Sequence, residues 1–530
     1  MLQSQEVPAE QYKLVSLIEP DESTSFCATA LHLYYLTICV LLPKQRTSQL
    51  RSRIPLHTFG DRPDTYENYV RSTRQLHYAG YQKFIQKSLP YRVKTSAGGE
   101  RIILPFKYLV EIKNAPQSAI SLPDEMEELL LMKYTGVPQR TDSGTKVVRV
   151  DMTRNLGNFV QAMNEECVYG FEKYMPVDDG WQTIKPYHIF ARIVALISGR
   201  VLVGQELCRD ENWIRLSMEF STHAFGAART LRSGNKWPWS MRLASLTEPA
   251  VKGILQRRRE AEALIKPICE ERLRLKNIPD WKKPDDGIQW LLDSHSISGE
   301  SADEVVKSQL RLTMAAIHNT TMSVTNDLFD LIEHPEYIKI LREEVNSVLA
   351  EEQGWTKQAL TKMRKMDSFM KESQRMNPST PITCKRKVMQ DFTLHDGLIL
   401  PRGSHVAFTS DAVNRDGEIY PSPDVFDGLR FHKLRTAPSS NDSAAISANE
   451  TKYQFVTATQ EYQNWGAGGH ACPGRFFASN EIKLMLAYLL QNYDFRWKDG
   501  ESRPESAVID WNILPDREKE VMFRRRQQQR

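Results

Sequence analysis

The chain has 530 residues, enough to bury a large core, and its 70 basic against 66 acidic side chains leave a formal net charge of only +4. So slight a charge gives no electrostatic footprint for nucleic acid. Seven scattered cysteines with no CxxC pair exclude a disulfide scaffold and a structural zinc site, and suit a reducing compartment.

A short N-terminal segment, residues 1–24, precedes an apolar stretch at residues 25–43. Its run from Ser25 to Leu42 carries no formally charged side chain. About 20 helical residues cross a bilayer's hydrocarbon core, so the run predicts a transmembrane anchor. Glu6, Glu10, Asp21 and Glu22 lie before it, and Lys44, Arg46, Arg51 and Arg53 after it. The basic flank stays inside, which places residues 44–530 in the cytosol as the catalytic domain. A cleavable signal peptide would want a basic start and a shorter apolar run nearer Met1.

Further along, Pro90 to Pro105 alternates polar and apolar positions around Ala97-Gly98-Gly99, the pattern of a hairpin in a small sheet. Apolar residues three and four apart predict helices over Met152 to Tyr174 and Trp181 to Val203. Phe220 to Pro249 mixes Gly, Trp and Pro and reads as a mobile, lid-like connection. Glu260 to Leu275 is a charged helix, solvated on one face. Ser301 to Ala350 fits one long helix, a turn at His334-Pro335 and a second helix. Inside the long helix lies Ala315-Ala316-Ile317-His318-Asn319-Thr320-Thr321, where two small residues allow close approach to a flat group and polar neighbours follow. In Glu372-Ser-Gln-Arg375 the charges stand three apart on one helical face. Cys384 to Val388 and Asp391 to Pro401 read as short strands. Pro438 to Asn449, rich in Ser, Ala and Asn, reads as a flexible surface insertion, and Arg524 to Arg526 as a solvated tail.

The most informative stretch is Trp465-Gly-Ala-Gly-Gly-His-Ala-Cys472-Pro-Gly-Arg475. Its glycines let the backbone fold tightly, and Cys472 stands where a helix begins, with Pro473 suited to a first helical position. A cysteine there feels the positive end of the helix dipole and free N–H groups, which favour thiolate. A lone thiolate on such a loop suits an iron whose other positions a porphyrin fills. Taken singly, Cys472 also fits a small buried hydrophobe or a nucleophile with a nearby base.

The order Trp465, Gly468, His470, Cys472, Gly474 resembles the haem-binding loop of the cytochromes P-450, with Trp for the usual Phe and His for the usual Arg. The resemblance implies that family's mainly α fold with small β-sheets (α+β), a long central helix over a buried haem b and Cys472 as the axial thiolate to iron. It implies that Ala315 and Ala316 pass over the haem, and that His470 and Arg386 reach its propionates. His318 falls at the family's acid position and Asn319 at its alcohol position, with Thr320 one place late, so these three are the candidates for handling protons. Glu372, Arg375 and Arg430 resemble the family's buried charged triad. The usual Trp-x-x-x-Arg of an early helix is absent, which leaves one propionate contact open, with Arg154 as a candidate.

The texture is most like fungal secondary-metabolism members. The resemblance therefore implies an NADPH- and O2-dependent monooxygenase at the endoplasmic reticulum membrane, acting on a bulky hydrophobic substrate: a terpenoid or meroterpenoid first, an indole alkaloid second. No phosphate-cradling glycine loop is present, so electrons would come from a membrane reductase meeting Lys433, Arg435 and Arg475. Substrate contacts would come from Gln117 to Leu131, Phe220 to Trp239, Ala315 and Ala316, Thr380 to Thr383 and Asn512 to Leu514. The rival readings are a haem-thiolate isomerase or dehydratase working without a reductase, and a membrane-anchored interaction protein with a degenerate site.

Overall fold

The computed structural model describes residue 49 and residues 51–527, apart from positions 61, 64, 97–98, 235–237, 299–301 and 438–442. The expected anchor at 25–43 lies outside these residues. Among the described residues no helix is long and apolar enough to cross a membrane.

The strands are β1 (Leu56–His57), β2 (Tyr91–Lys94), β3 (Glu100–Ile103), β4 (Ile120–Ser121), β5 (Gln182–Ile184), β6 (Ile382–Val388), β7 (Phe392–Thr393), β8 (Ile399–Leu400), β9 (His405–Thr409), β10 (Tyr493–Arg496), β11 (Ala507–Ile509), β12 (Asn512–Leu514) and β13 (Val521–Arg525). The helices that build the site are α1 (Thr153–Tyr174), α2 (Pro186–Leu202), α3 (Glu211–Gly234), α4 (Pro238–Thr247), α5 (Pro249–Leu275), α6 (Gly287–Ser298), α7 (Ala302–Glu333), α8 (Glu336–Glu351), α9 (Arg364–Met376), α10 (Arg430–Thr436) and α11 (Arg475–Asn492).

Helices dominate, and α7 is their hub: it packs against α2, α3, α5, α6, α9 and α11. It is buried on most sides, and three of its threonine hydroxyls are satisfied within the helix. Thr320, Thr321 and Thr325 each donate to the carbonyl four residues back, at 2.9, 2.8 and 2.8 Å, a bonding pattern that loosens and bends a helix locally. The helix α11 is threaded through the core, with Ile482 and Leu484 to Leu490 buried together with the charged Glu481 and Lys483.

The main sheet has the order β1-β2-β3-β9-β6-β4, and a three-stranded sheet runs β10-β13-β5. The expected hairpin is β2 with β3, in register Tyr91 opposite Ile103. Register shifts between Thr383 and Arg386 where β6 meets β9, and Cys384 takes a left-handed φ of 51°. Such an irregularity re-aims the side chains that follow it, here Arg386.

Three expectations need correction. Residues 182–184 form strand β5, not the start of a helix, because they pair with Val521 to Phe523. The stretch from Phe220 to Pro249 is not an open connection: α3 continues to Gly234, α4 fills 238–247 and α5 starts at Pro249. Its apolar spacing outweighs its turn-forming residues. Of the insertion read at 438–449, residues 438–442 lie outside the described residues, and Ser443–Lys452 is helical.

Candidate active site

The loop before α11 is built on left-handed glycines. Gly466 has φ 78° and Gly468 φ 62°, a region that side chains strain to enter. A Cβ at Gly468 would also lie 3.0 Å from Lys113 Cβ. The turn closes with the Cys472 N–H donating to the Trp465 carbonyl at 2.7 Å. Trp465 is itself pinned, its indole N–H donating to the Phe455 carbonyl at 2.7 Å and its ring meeting Phe455 edge-on. The helix starts at Arg475 with Gly474 as its cap, two residues later than Pro473 suggests. Burial pushes the Cys472 thiol above its usual range; the Gly474 N–H, the Arg475 charge and the Arg475 N–H pull it back. Dipole and N–H groups therefore offset burial without overcoming it, and full thiolate character awaits a cation such as iron.

Above this loop lies a cavity of about 290 Å³. Trp465, Cys472, Pro473, Gly474, Phe477 and Ala478 form one wall, and Leu312, Ala315, Ala316, Asn319 and Thr320 of α7 the opposite one. Val148, Met152, Leu202 and Ile513 add apolar surface, and Gln374, Asn377 and Ser379 a polar edge. Of the expected substrate regions, Ala315, Ala316 and Ile513 line the cavity, while residues 117–131 and 220–239 do not. Phe225, Ala228, Arg229, Arg232 and Leu129 instead line a separate small recess beside Trp511.

Asn319 and Thr320 face the cavity, but His318 does not join them. Its Nε2 donates to the Met218 carbonyl on α3 at 3.2 Å, and burial lowers its pKa, so it is a neutral tie between two helices. The acid near Thr320 comes from another element. Glu481 on α11 is fully buried; Ser198 of α2 donates to its Oε1 at 2.9 Å, and Thr320 lies against the carboxyl. Its Oε2 has no formed hydrogen bond. Burial pushes its pKa up to about 8, only partly opposed by Ser198 and Thr320, so at neutral pH it holds a proton. Nothing in its local sequence marks it out.

Three guanidiniums stand close enough to act on His470 in the cysteine loop. Arg149 donates to the Gly469 carbonyl at 2.6 Å, Arg140 to Thr145 Oγ1 and Arg386 to the Lys385 carbonyl; among the described residues none of the three has a carboxylate partner. Burial, then Arg386, Arg140 and Arg149, push the His470 pKa down to about 4. The expected cation at His470 is thus a neutral ring, and its Nδ1 is buried without a partner. Arg154 is exposed. The spacing Thr145-Lys-Val-Val-Arg149 was the available signal: it keeps the family's four-residue step with Thr in place of Trp.

The triad is formed. Arg375 Nε and Nη2 donate to the two Glu372 oxygens at 2.8 Å each, Arg430 Nε reaches the same carboxylate at 3.1 and 3.2 Å, and the Asp427 N–H caps it at 3.0 Å. Glu372 and Arg375 are fully buried. Their other bonds hold the segment from Asn414 to Val425, not the cysteine loop itself. Neighbouring side chains of α9 instead hold Gln454 and Phe455, the segment on which Trp465 is pinned. Asp367 accepts from the Phe455 N–H at 2.8 Å and pairs with Lys483 and Arg435; Lys371 donates to the Gln454 carbonyl at 2.7 Å. Arg435 is therefore spent in the core and unavailable to a partner. Lys433 is exposed but paired with Asp427, and Arg475 is half-buried, donating to the Cys472 carbonyl.

A tight loop presenting one thiol, a facing helix with small residues and an edge of unpaired guanidiniums fit a flat group with two acidic arms, as a haem is. This defines a haem-thiolate site as a class. A sequence model described as "Cytochrome P450" matches residues 142–514, more than half the chain. Similar curated proteins include Cytochrome P450 monooxygenase AN1598 of Emericella nidulans, 36% identical over 452 residues (84% of this chain, 82% of the relative). Cytochrome P450 monooxygenase ccsG of Aspergillus clavatus is 37% identical over 487 residues (91% and 94%). Pyrichalasin C-7 hydroxylase of Pyricularia grisea is 34% identical over 463 residues (86% and 88%). The fold matches that of "Retinoic acid bound cyanobacterial CYP120A1" with a TM-score of 0.64 at 17% identity, over 87% of this chain and 96% of that one. The chain belongs to the cytochrome P450 family and is a monooxygenase of the fungal secondary-metabolism kind.

Proposed function

We propose that the enzyme hydroxylates a bulky hydrophobic secondary metabolite, a terpenoid or meroterpenoid first and an indole alkaloid second, with electrons from NADPH through a membrane reductase. The observation that carries this is the cavity itself: Cys472 faces Asn319 and Thr320 across a space lined mainly by apolar side chains, the form of a site for a large apolar ligand with a few orienting polar groups. The similarity to a protein named as a hydroxylase supports the reaction type. The apolar run at 25–43 and its basic C-terminal flank support an anchor in the endoplasmic reticulum membrane with residues 44–530 in the cytosol.

In this reading Cys472 ligates the iron, while His470, Arg386 and Arg149 hold the haem's acidic edge. The bound haem supplies dioxygen activation and the oxidation of an unactivated C–H bond. The chain's own part is to orient substrate, exclude water and deliver protons. Glu481 keeps a proton on its carboxyl; the Thr320 hydroxyl, turning from the Ala316 carbonyl, accepts that proton and passes its own to the cavity, and Asn319 Nδ2 offers the same space a hydrogen bond. Ala315 and Ala316 leave room where larger side chains would block the approach of substrate.

Two experiments test the reading. The purified, reduced protein with carbon monoxide should show the red-shifted Soret band of a thiolate-ligated haem, and Cys472→Ser should lose it; a band of equal strength in the variant overturns the ligand assignment. Expression with a reductase in hosts making candidate terpenoid scaffolds should yield products heavier by one oxygen atom. Product made without NADPH or reductase would favour a haem-thiolate isomerase or dehydratase.

A further inference from the structure

One wall of the cavity is built of carboxamides. Asn326 of α7, Gln374 of α9 and Asn464, just before Trp465, all line it. Each has its oxygen taken by a side chain that does not border the cavity. Asn326 Oδ1 accepts from Arg503 at 3.1 Å, Asn464 Oδ1 from Asn414 Nδ2 at 3.4 Å, and Gln374 Oε1 from the Tyr462 hydroxyl. Arg503 is itself held by Asp330, and the Tyr462 ring is buried. A guanidinium only donates, so Asn326 cannot turn its amide over. With the oxygens fixed outward, three NH2 groups are left on the cavity side. Neither Asn326 Nδ2 nor Gln374 Nε2 donates to a described residue. Asn464 Nδ2 is shut from water without a formed hydrogen bond, though near enough to act on the Tyr462 hydroxyl. Gln374 and Asn464 thus meet at one hydroxyl, and their NH2 groups are neighbours. Asn377 is the exception on this wall. Its Nδ2 donates to Asp330 Oδ2 and to the Ser373 carbonyl, at 3.1 Å each, so its oxygen is what remains.

Shielded N–H groups without acceptors are costly, and among these carboxamides the free donors exceed the free acceptor. None of the described residues that line the cavity is Asp, Glu, Lys, Arg or His, so the wall suits a neutral acceptor. We propose that Asn326, Gln374 and Asn464 form a carbonyl-recognition wall, and that the substrate is a neutral ketone or lactone whose carbonyl oxygen accepts from it. Two neighbouring donors match the two lone pairs of a carbonyl oxygen. The apolar body of the substrate then lies along α7 toward Ala315 and Ala316. Asn326 is ten residues past Ala316 on this helix, roughly 15 Å along its axis. The bonded carbonyl is therefore held well away from the carbon presented above Cys472. This rests on the cavity being the oxidation chamber, and narrows its substrate to scaffolds that already carry a carbonyl.

The test uses the haem-loaded enzyme and 1-alkylimidazoles of graded chain length, each paired with the chain-matched ketone whose carbonyl stands near the far end. The imidazole binds iron whether or not the carbonyl is recognised, so the shift of the Soret band reports affinity for both members of a pair. At the matching length the ketone should bind about three- to tenfold more tightly than the plain chain, the worth of a neutral hydrogen bond. Gln374→Met and Asn326→Leu each remove a donor at similar size. Each should lower that advantage and the double variant abolish it, with plain-chain binding and haem content as in the wild type. A merely structural role would weaken both members of a pair alike. Equal binding of ketone and plain chain at every length overturns the proposal and leaves the wall to hold water. So does an advantage that survives in the double variant. Loss of haem from both single variants also overturns it, since the wall would then belong to the haem's seat. If no imidazole shifts the band in the wild type, the chamber reading itself fails and this inference with it.

Discussion

Removing Arg375 should cost far more than removing Arg430, although both pair with Glu372. Arg375→Ala deletes two 2.8 Å bonds to the carboxylate and two bonds to the carbonyls of Asn414 and Pro423, at 2.5 and 2.7 Å. All are formed by a side chain with no solvent exposure. Glu372 is then left buried with one guanidinium, held through Nε alone, and one backbone N–H. Breaking such a buried pair costs about 3–5 kcal/mol, a large part of the roughly 5–15 kcal/mol that keeps a domain folded. Arg430→Ala leaves the two-pronged Arg375–Glu372 pair intact. Arg430's side chain is 11% exposed, so water can replace its contacts to the carbonyls of Pro421 and Val425, and the loss should be about 1–2 kcal/mol. Urea unfolding of the haem-loaded protein, followed by tryptophan fluorescence and the Soret band together, measures both. Equal losses, or a larger loss in Arg430→Ala, would refute the reasoning that the network's stability lies in the buried pair.

Two further predictions concern the site. Arg149→Ala and Arg386→Ala should each speed haem loss to an apoglobin scavenger about 10- to 100-fold, the worth of a charge-assisted bond, whereas Arg154→Ala should not; equal rates in Arg149→Ala and Arg154→Ala would remove Arg149 from the cradle. Glu481 has its folded pKa raised from 4.5 to about 8 by burial, so the stability it contributes is complete at acid pH and is lost as pH rises through about 8. Glu481→Gln should therefore gain in melting temperature relative to wild type as the pH rises, and should consume more NADPH per product; a parallel pH profile with unchanged coupling would take Glu481 out of the proton path.

The residues explain why some of this was readable before any coordinates. Cys472, Gly468 and Trp465 act through a local turn, and local geometry follows from local sequence: left-handed positions demand glycine, and a helix must begin somewhere after them. The same holds for Glu372 and Arg375, three apart on one helix, and for the long helix through Ala315, where spacing alone predicts a shared face. Arg149 was legible in principle but was masked by a Thr where its aromatic partner was expected.

The chain's order of residues was sufficient for the fold class, the haem loop, the triad and the helical stripe that faces the cavity. Only the packed structure decided that His318 turns to the Met218 carbonyl and that Glu481 from a later helix comes to rest beside Thr320. The physical reason is that spacing along a helix sets which residues share a face, but not which surface that face meets. Burial and counter-charge, which govern how an ionisable group behaves, are properties of the neighbours brought in from hundreds of residues away.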